Sequence, residues 1–222
     1  MRILATDFDG TLATSGRVTD STLEALRKWK SSGRRIVLVT GREGPEIKRV
    51  FPEYKLCDRI VAENGALLIE PRSSAEELLA SPADQRLADR LRRAGVSPLS
   101  VGRSVIALRD QHLGVADDLI RELRLDVRAI LNKGSVMILP TGTDKASGLR
   151  RALEALAARR EDAIGIGDAE NDIALFEACG AGVAVANALP SLKSRATWVA
   201  SRPEGAGVEE LIDRILHEKS LK

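Results

Sequence analysis

Residues 2–11 of the chain read RILATDFDGT, a short apolar run that ends in two carboxylates and a glycine. A run of this length and composition predicts a buried β-strand from Arg2 to Asp7. In open α/β sheets, ligands bind outside the carboxyl ends of the strands. Asp7 and Asp9 are therefore the first candidates for functional residues.

Two later apolar runs, at residues 36–39 and 163–167, also end in polar groups. The residues that follow these two runs are Thr40, Gly41, Arg42, Asp168, Asn171 and Asp172. Lys145 begins a predicted helix just before the second run. In a parallel sheet, all of these groups would converge on the same edge as Asp7.

This convergence would bring up to four carboxylates together, those of Asp7, Asp9, Asp168 and Asp172. Like charges at short range must either take up protons or acquire a cation. Mg²⁺ prefers hard oxygen ligands and usually keeps water and substrate phosphate oxygens among them. With Lys145 as a further positive charge, the cluster is suited to binding and transferring a phosphoryl group.

Short β-rich runs alternate with helical periods along the chain, which is typical of an α/β fold with a mainly parallel sheet. The pattern changes after residue 71 and returns at about residue 141. Residues 73–93 look helical and begin an α-β-β-α-β-β order, which predicts a helix-backed antiparallel sheet. We therefore expect a doubly wound core of residues 1–71 and 141–222, interrupted by an inserted domain of residues 72–140.

The composition is that of a globular protein, with 44% hydrophobic and 30% charged residues among 222, and it excludes the disordered class. A net charge of +2 argues against nucleic-acid and anionic-membrane binding, and 3% aromatic residues argue against base stacking. Cys57 and Cys179 are expected to be reduced packing residues. Without a recognisable leader or apolar span, we expect a cytoplasmic protein.

The motif residues resemble those of a known group, the haloacid dehalogenase-like hydrolases. Residues 7–11, DFDGT, resemble the first motif of that superfamily, Thr40 the second, Lys145 the third, and Gly167-Asp168 with Asn171-Asp172 the fourth. The predicted insert resembles the type IIB cap found in Cof-like, sucrose-phosphatase-like and archaeal phosphoglycolate-phosphatase-like members. The resemblance covers essentially the whole chain and implies a Rossmann-like core with an α+β cap domain.

The resemblance also implies a Mg²⁺-dependent phosphatase. Asp7 would attack phosphorus to form an aspartyl-phosphate, and Asp9 would protonate the departing oxygen and then deprotonate the hydrolytic water. Thr40 would bind a phosphoryl oxygen, and Lys145 would hold both the nucleophile and the phosphoryl group. The implied metal ligands are the Asp7 carboxylate, the Asp9 backbone carbonyl, Asp168 and, directly or through water, Asp172.

Further polar residues are candidates for substrate binding, namely Gly41, Arg42, Asn64, Asn171, Arg103 and Lys133. Each has an ordinary structural alternative. Arg42 could form a surface ion pair, Asn64 could belong to a turn and Asn171 could cap a helix. Arg103 and Lys133, on the predicted cap, could simply be solvated.

The leading hypothesis is a phosphomonoesterase that acts on a small phosphorylated metabolite, such as a sugar phosphate or a phosphoglycolate-like ester. An inserted cap favours small substrates because its closure excludes water and polymers. Two alternatives stay open: a phosphomutase with the same nucleophile, and a signalling module like a phospho-receiver domain. The sequence predicts no particular oligomeric state.

Overall fold

The structure is a computed structural model that describes residues 2–132 and 134–218. Within these residues, the strands form one sheet of eight strands and one of four. No helix in the same ranges combines the length and the apolar character that a membrane span requires.

The strands are β1 (Ile3–Thr6), β2 (Arg35–Val39), β3 (Arg59–Ala62), β4 (Leu67–Glu70), β5 (Ala75–Leu78), β6 (Leu99–Val101), β7 (Ile106–Arg109), β8 (Val127–Asn132), β9 (Ser135–Pro140), β10 (Ala163–Gly167), β11 (Ala181–Ala184) and β12 (Trp198–Val199). The α-helices are α1 (Asp20–Ser31), α2 (Gly44–Val50), α3 (Gln85–Arg93), α4 (Leu113–Glu122), α5 (Lys145–Ala155), α6 (Asp172–Glu177), α7 (Pro190–Lys193) and α8 (Glu204–Glu218).

The larger sheet has the strand order β12-β11-β10-β1-β2-β3-β4-β5. The strands from β12 to β3 run parallel, whereas β4 and β5 are antiparallel to their neighbours. Because β1 lies between β10 and β2, with Thr6 opposite both Ile166 and Leu38, these three strands end side by side. The predicted class, a doubly wound parallel sheet, is confirmed.

Helices cover both faces of the larger sheet, which explains the continuously apolar strands. Helices α1 and α8 pack on one face through residues such as Trp29 and Leu211. Helices α5 and α6 pack on the other face through residues such as Leu149 and Leu175. Each fully buried side chain of this kind contributes roughly 1.5–3 kcal/mol to the free energy of unfolding, so the two layers hold the sheet edge in place.

The smaller sheet is antiparallel throughout, with the order β6-β7-β9-β8. Helices α3 and α4 cover one of its faces, where Leu87 and Leu91 pack against Ile106 and Ile138. A separate apolar cluster of Ala66, Val105, Met137 and Leu139 joins the other face to the turn before β4. The smaller sheet therefore presents one face to its helices and the other to the larger sheet's edge.

The continuous helix predicted over residues 73–93 is wrong in its first half. Residues 75–78 form β5, which pairs with β4 in the larger sheet, and α3 begins only at Gln85. The sequence of β5, AEEL, favours helix, but hydrogen bonds along the ladder outweigh so weak a preference. The predicted inserted domain, residues 72–140, therefore begins before β5, which pairs with the larger sheet. The division into two domains itself stays a prediction.

Both cysteines lie in the apolar layers, and burial raises the pKa of Cys57 and of Cys179 to about 12. The thiolate is the reactive species, so at about pH 8 both thiols should stay protonated and shielded. We expect an aromatic disulfide reagent to label neither cysteine in the folded protein and both in guanidinium chloride. Rapid labelling of the native protein would contradict this packing.

Candidate active site

Five of the predicted site residues lie buried at the carboxyl edge of the larger sheet. Asp7 follows β1, Thr40 follows β2 and Asp168 follows β10, while Lys145 begins α5 and Asp172 begins α6. Asp7 is the most exposed of them, at 6%. Burying this many polar groups is costly unless they bind one another or a ligand.

Lys145 joins two of these carboxylates. Its Nζ donates hydrogen bonds of 2.6 Å to Oδ1 of Asp7 and 2.6 Å to Oδ1 of Asp172. Burial lowers the pKa of Lys145, but attraction to Asp172 and Asp7 outweighs it and leaves the pKa above its ordinary value. Asp144 fixes the start of α5 by capping the backbone N–H of Ser147, so the ammonium group enters the site from a defined helix end.

The second oxygen of Asp172 closes the turn between β10 and α6. Oδ2 accepts hydrogen bonds from the backbone N–H groups of Asp168, at 2.9 Å, and Ala169, at 3.0 Å. A Cβ atom at Gly167 would lie 2.5 Å from the Asp172 side chain, so only glycine fits there. Both oxygens of Asp172 thus bind protein donors, which makes it a support for Lys145 and the turn; its predicted metal contact stays a prediction.

The carboxylates of Asp7, Asp168 and Asp172 fit a divalent cation. Each offers an oxygen within 4.8 Å of the others, and with Lys145 the ionised groups carry a net charge of −2. Burial raises the pKa of Asp7 to about 7, although Lys145 opposes this rise. A cation at this point would favour the charged carboxylates, and Mg²⁺ suits an all-oxygen donor set.

Arg42 holds Asp9 through a bidentate ion pair. Its Nε donates to Oδ2 of Asp9 at 2.7 Å, and its Nη2 donates to Oδ1 at 2.6 Å. The guanidinium also pairs with Glu46 and lies 5.5 Å from the centre of the Phe8 ring. The hydrogen bond to Asp9 raises the pKa of Arg42. Arg42 therefore fixes the second carboxylate of the DFDGT segment at the rim of the site.

A cavity of about 240 Å³ lies between the carboxyl edge of the larger sheet and the smaller sheet. Asp7, Asp9, Arg42 and Asp168 line it on the side of the larger sheet. Five residues line it from the smaller sheet or its turns: Ser100, Val105, Ala107, Ser135 and Met137. The cavity is thus a partly open space for a small ligand beside the Asp7 carboxylate.

The less certain candidates occupy different places. Gly41, Arg42 and Asn171 line the cavity. Asn64 is buried behind it, where Nδ2 donates to Sδ of Met137 at 2.8 Å and Oδ1 accepts from Nδ2 of Asn171 at 3.2 Å. Lys133 lies outside the described residues.

Arg103 forms an ion pair at the protein surface. Its side chain pairs with Glu76, at 2.7 Å, and does not line the cavity. A surface ion pair satisfies the guanidinium there, and contact of Arg103 with substrate stays a prediction.

The lining residues of the smaller sheet were missed, although their spacing carried a signal. Successive side chains on a strand point to opposite faces. On β7 and β9, Ile106 and Ile138 face the helices, whereas Ala107 and its neighbour in the ladder, Met137, face the cavity. The period of two was readable in the sequence, but which face would meet the site was not.

Comparison with known proteins agrees with this geometry. A sequence model of the haloacid dehalogenase-like hydrolases matches residues 4–93 and 115–212, most of the chain. The chain belongs to this family. The match includes all four of the motifs identified in the sequence, so the predicted membership is confirmed.

Relatives of this haloacid dehalogenase-like protein include phosphoglycolate phosphatases of archaea. Phosphoglycolate phosphatase 2 of Saccharolobus solfataricus is 32% identical, covering 96% of this chain and 92% of its own. The phosphoglycolate phosphatase of Methanothermobacter thermautotrophicus is also 32% identical, covering 97% of this chain and 99% of its own. The family match and these relatives confirm the predicted class, a hydrolase that acts on phosphate monoesters.

Solved structures share the fold of this haloacid dehalogenase-like chain. A haloacid dehalogenase-like hydrolase from Bacteroides thetaiotaomicron has a TM-score of 0.83 at 21% identity, covering 96% of this chain and 99% of its own. A subclass IIB sugar phosphatase has a TM-score of 0.77 at 16% identity, covering 99% of both chains. The combination of a parallel-sheet core with the smaller sheet is therefore that of the subclass IIB fold.

Replacing Lys145 with methionine should destabilise this protein strongly. Methionine fills a similar volume but leaves the buried carboxylates of Asp7 and Asp172 without their cation, and loss of one partner from a buried pair costs about 3–5 kcal/mol. Urea denaturation in EDTA measures the free energy of unfolding.

The matched control is Lys28→Met, which removes an exposed pair with Glu24 and should cost less than about 1 kcal/mol. Equal effects of the two substitutions would show that Lys145 does not hold the site together.

Proposed function

We propose that this phosphatase is a Mg²⁺-dependent phosphomonoesterase that hydrolyses a small phosphorylated metabolite through an aspartyl-phosphate on Asp7. The observation that carries the proposal is the position of the Asp7 carboxylate. It lies beside the cavity, bound to Lys145 and grouped with Asp168 and Asp172. A nucleophilic carboxylate needs this setting, in which positive charge offsets both its own charge and that of the incoming phosphate.

In the first step, an oxygen of Asp7 attacks phosphorus as the bond from phosphorus to the ester oxygen breaks. Lys145 holds the Asp7 carboxylate in position and offsets negative charge on the phosphoryl group. The Oγ1 of Thr40 accepts a hydrogen bond from the backbone N–H of Arg42 at 3.1 Å, so its own hydroxyl proton can be donated to a phosphoryl oxygen. These contacts support positioning and charge neutralisation, the main sources of catalysis in phosphoryl transfer.

Asp9 is proposed as the general acid and base. It would give a proton to the departing ester oxygen and then take one from the water that hydrolyses the aspartyl-phosphate. Its side chain is 48% exposed and held by Arg42 at the cavity rim, which is where a leaving group would enter and depart. Arg42 is therefore proposed to orient Asp9, and one of the two hydrogen bonds between them must open for an oxygen of Asp9 to carry the proton that it donates.

The metal site is proposed to consist of Asp7, Asp168 and the Asp9 carbonyl, with Asp172 as support. The hydroxyl of Thr11 donates to Oδ1 of Asp168 at 3.2 Å and helps to orient that carboxylate. When bound, Mg²⁺ would supply a Lewis acid that lowers the repulsion between the phosphoryl group and the Asp7 carboxylate.

The proposed substrate is a small ester, phosphoglycolate or a sugar phosphate. Two observations support this class: relatives are named phosphoglycolate phosphatases, and the cavity of about 240 Å³ is covered by the smaller sheet. Buried, protonated thiols at Cys57 and Cys179 suit the reducing cytoplasm, which is the location that we propose.

Phosphate release from a panel of small esters tests the proposal. We expect Mg²⁺-dependent hydrolysis, lost in EDTA and restored by added Mg²⁺. The change Asp9→Asn should lower kcat by about 10²–10⁴-fold because it removes the proton donor. An isomerised ester without free phosphate would indicate a phosphomutase instead.

The nucleophile is tested by Asp7→Asn, with Asp20→Asn, an exposed carboxylate at the start of α1, as the matched control. Asparagine cannot form the aspartyl-phosphate, so Asp7→Asn should reduce phosphate release to background while Asp20→Asn retains full activity. Acid quenching during turnover, followed by peptide mass spectrometry, should place one phosphoryl group on Asp7. Activity that survives Asp7→Asn would refute the proposed intermediate.

A further inference from the structure

A strained turn joins β3 to β4 beside the candidate active site. Glu63 and Asn64 have φ angles of +50° and +53°, in the left-handed region that residues other than glycine rarely occupy. Both side chains are 1% exposed. A conformation of this kind persists only where the surroundings hold it in place, and such positions cluster at functional sites.

On one side, the turn is bound to the loop of the second motif. The backbone N–H of Glu63 donates to the carbonyl of Arg42 at 3.0 Å, and that of Asn64 donates to the carbonyl of Thr40 at 3.0 Å. The turn is therefore fixed to the segment that carries two of the candidate active-site residues.

On the other side, the carboxylate of Glu63 is bound by the turn between β6 and β7 of the smaller sheet. It accepts three backbone hydrogen bonds, from Arg103 at 3.0 Å, Ser104 at 2.8 Å and Val105 at 3.1 Å. Consecutive N–H groups of this kind form an anion-binding concavity. The approach is so close that a Cβ atom at Gly102 would lie 2.8 Å from Oε2 of Glu63.

The turn between β3 and β4 also binds two residues that line the cavity. Val105, which binds Glu63, lines the cavity from the end of the β6–β7 turn. Met137, which accepts a hydrogen bond from Asn64, lines it from β9. Hydrogen bonds to a buried charged group are stronger than neutral ones, and their loss leaves buried N–H groups unpaired. The position of the smaller sheet above the cavity is thus tied to Glu63.

We propose that Glu63 is a positioning residue that fixes the smaller sheet at a set distance from the Thr40–Arg42 loop, and thereby fixes the part of the cavity that receives the leaving group. The inference rests on the proposed phosphatase function for its kinetic consequence only. The exposed pair between Arg103 and Glu76 contacts the same turn without entering the buried joint, so it provides a matched comparison.

Hydrogen exchange measured by mass spectrometry tests the contact directly. In the unaltered protein, the amides of residues 103–105 should exchange as slowly as those of β7. In Glu63→Gln, one acceptor oxygen becomes an NH₂ group that faces N–H donors, so exchange should be at least about tenfold faster, the factor that corresponds to 1.4 kcal/mol. Glu76→Gln should change exchange at these amides less than about threefold because an exposed pair contributes little.

Kinetics test the consequence for the site. In Glu63→Gln, KM for the best ester of the panel should rise about tenfold, whereas inhibition by inorganic phosphate, which needs no leaving-group contact, should change less than about twofold. A loss of folded protein would instead lower the apparent kcat and leave both KM and the inhibition constant for phosphate unchanged. Gly102→Ala, which presses on Glu63 from the opposite side, should reproduce the split between the two constants.

Several results would overturn the proposal. The first is fast amide exchange at residues 103–105 in the unaltered protein. The second is an equal exchange rate at these amides in Glu63→Gln and Glu76→Gln. The third is a rise in KM in Glu63→Gln that is matched by an equal rise in the inhibition constant for phosphate. If the unaltered protein hydrolysed no ester, the proposed function would fail, while the exchange measurements would still decide the role of Glu63.

Discussion

The ammonium group of Lys145, held between the carboxylates of Asp7 and Asp172, is the interaction on which the site depends. Three carboxylates buried within 4.8 Å of one another repel strongly in a medium that screens poorly. One lysine offsets part of this repulsion, and the remaining negative charge is what suits the site to a divalent cation. The excess negative charge that costs stability without a cation is thus the same feature that favours binding of one.

The topology of the larger sheet brings the charged residues of the site together. The adjacent parallel strands β1 and β10 bring Asp7 and Asp168 to one edge, and the helix that begins at Lys145 brings the ammonium group to Asp7. The apolar layers on both faces keep water away from Lys145 and Asp172, which strengthens their attraction. Packing far from the reacting groups therefore contributes to the electrostatics of the site.

Local patterns in the sequence were sufficient to predict the parallel core and the residues at its edge, because apolar runs that end in Asp7, Thr40 and Asp168 are short-range signals. Contacts between distant segments were not predictable in this way. Residues 75–78 have helix-favouring side chains and become a strand through pairing with β4. The hydrogen bonds that Glu63 accepts from residues 103–105 were equally unpredictable, since nothing near Glu63 in the sequence specifies which N–H groups its carboxylate binds.

The two-sided character of β7 and β9 has an evolutionary consequence. Side chains such as Ile106 and Ile138 pack under the helices and maintain the smaller sheet, whereas Ala107, Ser135 and Met137 alternate with them and face the cavity. Substitutions at the second set can reshape the cavity without disturbing the first set. The shape of the cavity can therefore change among relatives of this chain while the fold and the proposed phosphoryl-transfer residues stay constant.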